Sequence, residues 1–179
     1  MTIDPEEILK FWFYDIGPSR WFTADPEIDE TIKSKFLEAY QKAAREELGA
    51  WEETPEGMIS LLLLLDTFSR RMFHGTAQAY ETDDLALDLA RGAIVRHFDD
   101  RIDRTFKLFF YMPFTHSEQI GDQRLASFYV RERTKEKDWV DFVDRRRQIV
   151  ERFGRFPHRN AFLNRETTPE EAAYLQKQK

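Results

Sequence analysis

A short helix-start signal recurs four times along this chain. Aspartate or threonine is followed by proline and glutamate at Asp4, Asp25, Thr54 and Thr168. The first side chain can accept a hydrogen bond from the first helical turn, and proline is tolerated at the first helical position because its missing N–H would have no partner there. Thr168 and Glu171 also have the spacing of a capping box. These signals divide the chain into helices.

Stop signals lie between the starts, at Gly17-Pro18, Gly49, Gly75, Pro113 and Gly154. Glycine readily adopts the left-handed conformation that ends a helix, and proline cannot continue one. Apolar residues between these marks recur with helical spacing, and no segment shows sustained strand-like alternation. The pattern predicts an all-α protein with helices over residues 5–14, 26–48, 55–73, 83–98, 104–112, 117–134, 138–153 and 169–177.

Connections between the predicted helices are mostly short, so successive helices should pack as antiparallel hairpins. Ala86, Ala90 and Ala93 lie on one face of their helix, where small side chains let a neighbouring helix approach closely. No clean second copy of a 34-residue repeat is found, so the expected array rests on the hairpins and not on a sequence period. At 179 residues, we expect one helical domain over residues 1–179.

Composition excludes several classes of protein. Hydrophobic residues make up 41% of the chain and aromatic residues 15%, which excludes a solvated disordered chain. The lack of cysteine excludes disulfides, thiolate metal sites and a cysteine nucleophile. A net charge of −6 argues against nucleic-acid binding, which depends on neutralising phosphates. We therefore predict no nucleic-acid partner.

The sequence shows no signal for export, membrane insertion or cofactor binding. Its first residues lack the cationic region and cleavage site of a secretion signal, and the longest apolar run, residues 58–65, is too short to cross a bilayer. Glycine-rich phosphate loops, dinucleotide fingerprints and HExxH motifs are also lacking. We predict a cytoplasmic protein with no membrane contact, no cofactor and no metal site.

Asp66 is the most informative single residue. Its segment is apolar nearly all round, which predicts a helix in the core. A carboxylate there costs several kcal/mol unless it is paired. Arg70, four residues further on, lies on the same face and can supply the partner. The two residues form either a structural ion pair or the floor of a ligand pocket, where the pKa of Asp66 would be perturbed.

His116 and Glu118 follow Pro113, which should end the preceding helix near Met112. Thr115 and Glu118 have capping-box spacing for a new helix beginning near residue 117. On this interpretation Glu118 satisfies free amides and His116 fills a turn. Alternatively, the amides at the helix start hold an anion, and a neutral His116 serves as a general acid or base. A spacing of two is only a weak signal for a metal site.

A basic loop contains Arg155, His158 and Arg159. Arginine can bind phosphate or carboxylate through two parallel hydrogen bonds, so this loop suits an anion. Alternatively, it pins the C-terminal segment to acids and carbonyls of the body. The preceding run, residues 144–148, is expected to be a solvated helix face with Arg146 or Arg147 paired locally. We predict that the basic loop and the His116 turn face one cleft that prefers anions.

Three stretches together resemble a known bacterial family. The segments 61–87, 109–119 and 154–175, the second of which reads "FFYMPFTHSEQ", are similar in order and length to those of the family catalogued as domain of unknown function 924. The resemblance implies a tetratricopeptide-like fold, a right-handed array of helical hairpins, and no assigned biochemical role. The chain differs from the family pattern at residues 66–71, where Asp-Thr-Phe-Ser-Arg-Arg replaces Asp-Gln-Phe-Pro-Arg-Asn.

Two functions remain open. A tetratricopeptide-like array presents grooves for a peptide or protein, and a binding module of this kind is the first expectation. The alternative is a small-anion-binding protein or enzyme with a cleft. An open aromatic groove would favour the module, and convergence of the acidic and histidine side chains in a closed cavity would favour the small ligand. The candidate ligand-binding residues are Asp66, Arg70, His116, Glu118, Arg155, His158 and Arg159.

Overall fold

The computed structural model describes residues 3–178, and the regular structure within this range is entirely helical, as predicted. Its α-helices are α1 (Pro5–Leu9), α2 (Pro26–Ala44), α3 (Pro55–Leu62), α4 (Ser69–Met72), α5 (Asp83–Val95), α6 (Leu108–His116), α7 (Ile120–Tyr129), α8 (Lys137–Phe153) and α9 (Pro169–Gln176). Three segments widen into π-helix: Lys10–Ile16 after α1, Leu63–Phe68 between α3 and α4, and Val130–Thr134 after α7.

The predicted start signals are confirmed. Asp4, Asp25 and Thr54 each accept a hydrogen bond from a backbone N–H in the first turn of their helix. Thr168 and Glu171 form the complete capping box at the start of α9. Local chemistry at these four positions therefore sets where the helices begin.

The helix break predicted at Pro113 is wrong. α6 continues through Pro113 to His116, and α7 begins only at Ile120. Thr115 donates its hydroxyl to the Met112 carbonyl within α6, so it forms no capping box. An internal proline costs about 3 kcal/mol or more. Because all nine residues of α6 are buried, packing offsets that cost.

α6 lies at the centre of the helical array. It contacts α3, α5, α7 and α8, and the helices from α5 to α8 each contact the next. Ala86, Ala90 and Ala93 are fully buried on α5, as their spacing predicted. Within residues 3–178, no helix is both long and apolar enough to cross a membrane. The arrangement places the C-terminal end of α6 beside the π-helical segment 63–68.

Candidate functional site

Asp66 lies in the π-helical segment between α3 and α4. A π-helical turn contains an extra residue and leaves carbonyl groups without their usual helical partners. The Leu65 carbonyl accepts hydrogen bonds from the hydroxyls of Ser69 and Thr82, at 2.9 and 2.6 Å. The Asp66 carbonyl accepts one from the Arg70 guanidinium at 2.8 Å. Side chains thus stabilise the widened turn that carries the Asp66 carboxylate.

His116, the last residue of α6, is bonded to that carboxylate. Its Nδ1 lies 2.7 Å from Oδ1 of Asp66 and 2.9 Å from Oδ2. Both residues are buried, with Asp66 1% and His116 6% exposed. When the Nδ1–H group donates a hydrogen bond to the carboxylate, the neutral ring carries its lone pair on Nε2. Nε2 has no hydrogen-bond partner among residues 3–178.

Two arginines connect this pair to Asp83. Nη1 of Arg70 lies 3.2 Å from Oδ1 of Asp66, which confirms the predicted ion pair, and its Nη2 donates to Asp83 at 2.8 Å. Arg159 donates from Nη1 to Asp83 at 3.3 Å and from Nη2 to the His116 carbonyl at 2.8 Å. The basic loop therefore reaches the end of α6, as predicted.

Arg146 is a member of the cluster that sequence reasoning missed. Its Nε donates to the Thr115 carbonyl at 3.0 Å, and no carboxylate within the described part of the chain forms an ion pair with it. The local pairing expected for this run is found for Arg147 and not for Arg146. The signal that could have identified it was helical periodicity. Arg146 lies three residues after Val143 and four before Val150, so it shares the face of α8 that carries these two buried residues.

Guanidinium groups and aromatic rings alternate through the cluster. Arg159 stacks on Tyr80 and on Phe156, in each case 4.7 Å from the ring centroid. Arg146 lies 4.5 Å from the centroid of the same Phe156 ring. Such contacts stabilise a cation where water is scarce. We call the whole series the cation–aromatic ladder; its members are Arg70, Tyr80, Arg159, Phe156, Arg146 and Phe142.

Burial and three guanidinium groups disfavour a protonated ring at His116. Burial and the charges of Arg70, Arg146 and Arg159 lower the pKa of His116 well below its usual range, so the ring is neutral at pH 7. Burial and repulsion from Arg159 and Arg70 lower the pKa of Arg146 to about 9. Burial raises the pKa of Asp66, and the nearby guanidinium groups oppose that shift. The ion pair with Arg70 and the Nδ1 hydrogen bond favour the ionised form of this carboxylate.

A cleft of about 260 Å³ opens beside the cluster. Glu118 forms part of its wall and binds two groups of the C-terminal region. It accepts a hydrogen bond from the Phe156 N–H at 2.8 Å and forms an ion pair with Arg165 at 2.8 Å. Glu118 therefore joins the turn after α6 to the basic loop. The polar residues lining the cleft include Tyr80, Asp83, His116, Glu118, Arg159 and Arg165.

Comparison with known proteins identifies the family. Residues 8–179 match the model of a bacterial protein family of unknown function, DUF924. The chain belongs to this family. It is also similar to the solved structure of a protein of unknown function from Agrobacterium tumefaciens, with 42% sequence identity, a TM-score of 0.92 and 97% of each chain covered. No curated protein matches the chain.

Three of the seven candidate residues of this DUF924 protein line the cleft: His116, Glu118 and Arg159. Asp66 and Arg70 belong to the buried cluster around His116, and Arg155 and His158 are not part of the cleft wall. Arg155 pairs with Glu171, which caps α9, at 2.7 Å, and donates to the Glu166 carbonyl at 2.8 Å. These contacts match the alternative interpretation in which the loop pins the C-terminal segment. His158 is exposed beside the ladder. Partial desolvation and the guanidinium groups of Arg146 and Arg159 lower its pKa.

Proposed function

We propose that this DUF924 protein binds a small anion, a phosphate or a carboxylate, in the cleft beside His116. The supporting observation is a charge imbalance around that ring. The charges of Arg70, Arg146 and Arg159 act on it, and two carboxylates, Asp66 and Asp83, form ion pairs with this group of arginines. A buried charge without a partner is costly, so an anionic ligand would stabilise the cluster.

Other charges around the cleft do not cancel the imbalance. Glu118 is neutralised by its ion pair with Arg165. Asp84 also lines the cleft, but it is exposed and its charge is screened by water and salt. The excess positive charge therefore lies on the ladder, which reaches the cleft through Tyr80 and Arg159.

Arg159 is the group best placed to hold the anion. It is 4% exposed, and its Nε has no hydrogen-bond partner within the described residues. Its contact with Asp83 is long at 3.3 Å. A ligand oxygen could therefore accept a charge-assisted hydrogen bond from this side chain. The volume of about 260 Å³ lies below the usual range for drug-sized ligands and suits a small molecule.

Titration with sodium phosphate and sodium acetate tests this proposal. We expect saturable stabilisation of the wild type in thermal unfolding, and weaker stabilisation of Arg159→Met and Arg146→Met. Arg124→Met is the matched control, because it removes one exposed positive charge that neither belongs to the ladder nor lines the cleft. The proposal fails when neither anion raises the melting temperature, or when Arg159→Met and Arg146→Met respond like the wild type.

A second groove, which shares Phe142 and Arg146 with the ladder, supports the second candidate, a module that binds a peptide or protein. This groove of about 470 Å³ is lined by Arg145, Arg146 and Arg152, together with aromatic rings, and by no acidic residue. Its chemistry would suit an acidic peptide with aromatic side chains. A fluorescent peptide of glutamate and tyrosine should bind the wild type and bind Arg145→Glu more weakly. Equal binding by both would reject this candidate.

We also propose that the helices form one domain, residues 1–179, arranged as a right-handed tetratricopeptide-like array. The successive contacts from α5 to α8 support this arrangement. An experimental structure would test the handedness directly. A single cooperative unfolding transition, identical by fluorescence and circular dichroism, would support one domain, and two separate transitions would argue against it.

A further inference from the structure

We infer that the Asp66–His116 pair is a general base that activates water to hydrolyse a small carboxylic ester bearing an anionic group. The inference rests on the proposed function, because the anionic group of the ester would occupy the cleft. His116 would be the catalytic residue, and Asp66 would be a positioning residue that acts through it.

The first support is orientation. Asp66 holds Nδ1 of His116 through contacts of 2.7 and 2.9 Å, and Arg159 binds the backbone carbonyl of the same residue at 2.8 Å. The ring is therefore held by Asp66, and the backbone of the same residue is held by Arg159. His116 lines the cleft, and its Nε2 has no partner within residues 3–178, so its lone pair is free to accept a proton. A general base needs this combination of a fixed ring and a free nitrogen.

The second support is charge. A base must be unprotonated at the start and stable once it has taken a proton. The guanidinium groups of the ladder keep the resting ring neutral, and the carboxylate of Asp66 would stabilise the imidazolium that forms. The charged and titratable groups that face the ring are Asp66 and Arg70 from the π-helical turn and α4, Asp83 from α5, Glu118 after α6, Arg146 from α8, and His158 and Arg159 from the basic loop.

The proposed reaction needs only the ester and water. Nε2 of His116 takes a proton from water as the water oxygen forms a bond to the ester carbonyl carbon. The carbonyl oxygen becomes negatively charged, close to the Arg159 guanidinium. When the carbonyl re-forms, the bond to the leaving alcohol breaks, and that alcohol takes the proton from Nε2. The products are a carboxylic acid and an alcohol, and the ring returns to its neutral form.

The volume and charge of the cleft define the substrate class. About 260 Å³ admits an ester with a short acyl group and a short alcohol. The guanidinium of Arg159, which lines the cleft, would favour one that carries a carboxylate or a phosphate. O-acetylglycolate and 2-acetoxyethyl phosphate are suitable probes, and ethyl acetate is their uncharged counterpart. Hydrolysis of each is followed by the proton NMR signal of released acetate.

The decisive variant is His116→Asn. An asparagine amide can still donate to Asp66 from a position close to Nδ1, but the variant lacks Nε2. We expect it to keep phosphate binding and to lose about 10²–10⁴-fold in hydrolysis of the charged esters. Asp66→Asn should lower kcat with little change in KM and should alter the pH profile of kcat. Arg124→Met should hydrolyse the esters at the wild-type rate.

The outcomes separate this inference from the proposed function. Phosphate binding without cleavage of either charged ester would overturn the inference and leave anion binding intact. If the protein neither binds phosphate nor cleaves a charged ester, the inference and the proposed function are both wrong. Equal cleavage of ethyl acetate would overturn the anionic substrate class, and a wild-type rate in His116→Asn would remove His116 as the base. If that variant does not fold, a wild-type rate that rises in proportion to hydroxide concentration around neutral pH, with no plateau, would also overturn the inference.

Discussion

Nδ1 of His116 lies 2.7 Å from Oδ1 of Asp66, although fifty positions separate the two residues in the chain. Each residue comes from an irregular part of its helix. Asp66 occupies a π-helical turn, and His116 follows a proline inside α6. Irregular helical turns are costly unless surrounding contacts stabilise them. Here the two irregular segments contact each other through the hydrogen bond between His116 and Asp66. This pair is the centre of the candidate site.

Replacing Asp66 with alanine should lower the free energy of unfolding by roughly 3–5 kcal/mol, because Arg70 would remain buried without its partner and His116 would lose its hydrogen bond. Urea denaturation measures the loss. Asp84→Ala is a suitable control, since Asp84 is exposed and its removal should change stability by about 0.5 kcal/mol or less. A melting temperature of Asp66→Ala within a degree or two of the wild type would contradict the prediction.

Replacing Arg146 with methionine should raise the pKa of His116. Burial is the largest cause of the lowered pKa, and the positive charges of Arg70 and Arg146 add to it. Removing one of these charges favours the protonated ring. NMR titration of the imidazole signals in wild type, Arg146→Met and Arg124→Met measures the change. An identical His116 titration in wild type and Arg146→Met would show that the guanidinium has no effect on the ring.

Protonation of Glu171 should account for part of the stability that this protein loses in acid. Hydrogen bonds from Arg155, with a further one from the Thr168 N–H, lower the pKa of Glu171 from 4.5 to about 2. A lowered folded-state pKa means that this stabilisation is complete above about pH 4.5 and is lost as the pH falls towards 2. Stability measured across this window should therefore fall less steeply in Glu171→Gln.

Glu170→Gln is the matched control for that experiment. Glu170 lies next to Glu171 on α9, but its ion pair with Arg152 is mostly exposed to solvent. An exposed pair contributes little to stability. The acid dependence of Glu170→Gln should therefore follow that of the wild type. If the two variants behave alike, the Arg155–Glu171 contact does not stabilise the C-terminal segment as described.

Two glycine substitutions should have opposite effects. A Cβ atom at Gly57 would lie 2.2 Å from the backbone oxygen of Trp51, so Gly57→Ala must displace the main chain and should cost about 1–3 kcal/mol. A Cβ atom at Gly92, inside α5, would meet nothing within 4 Å. Gly92→Ala should therefore stabilise the protein by about 0.5–1 kcal/mol. Thermal unfolding of both variants gives the comparison, and a loss of stability in Gly92→Ala would contradict it.

Features that depend on local chemistry were predictable from the sequence. The hydroxyl or carboxylate of each cap acts within three residues, so Thr54 and Thr168 mark helix starts without knowledge of the fold. The Asp66–Arg70 pair was predictable for a similar reason, because the two residues are one helical turn apart.

Features that depend on long-range packing were not predictable in this way. The partner of His116 lies on a different helix, and nothing near His116 in the chain identifies Asp66. Pro113 predicts the end of a helix when only its neighbours in the chain are considered. The helix continues through it because the packing of the fully buried α6 offsets the cost of the proline. Arg146 belongs to an arginine run that resembles a solvated surface. Its place on the buried stripe of α8 was the one signal that distinguished it from Arg147.

The hydrogen bond between Arg159 and Asp83 joins residues 76 positions apart, and this separation affects the order in which the protein is made. Asp66 and His116 leave the ribosome well before Arg159, because synthesis proceeds at only about 5–20 residues per second. Both residues of the histidine–aspartate pair are therefore made before the segment that binds the His116 carbonyl. A chain cut short before residue 159 would lack the hydrogen bonds from Arg159 to Asp83 and to that carbonyl.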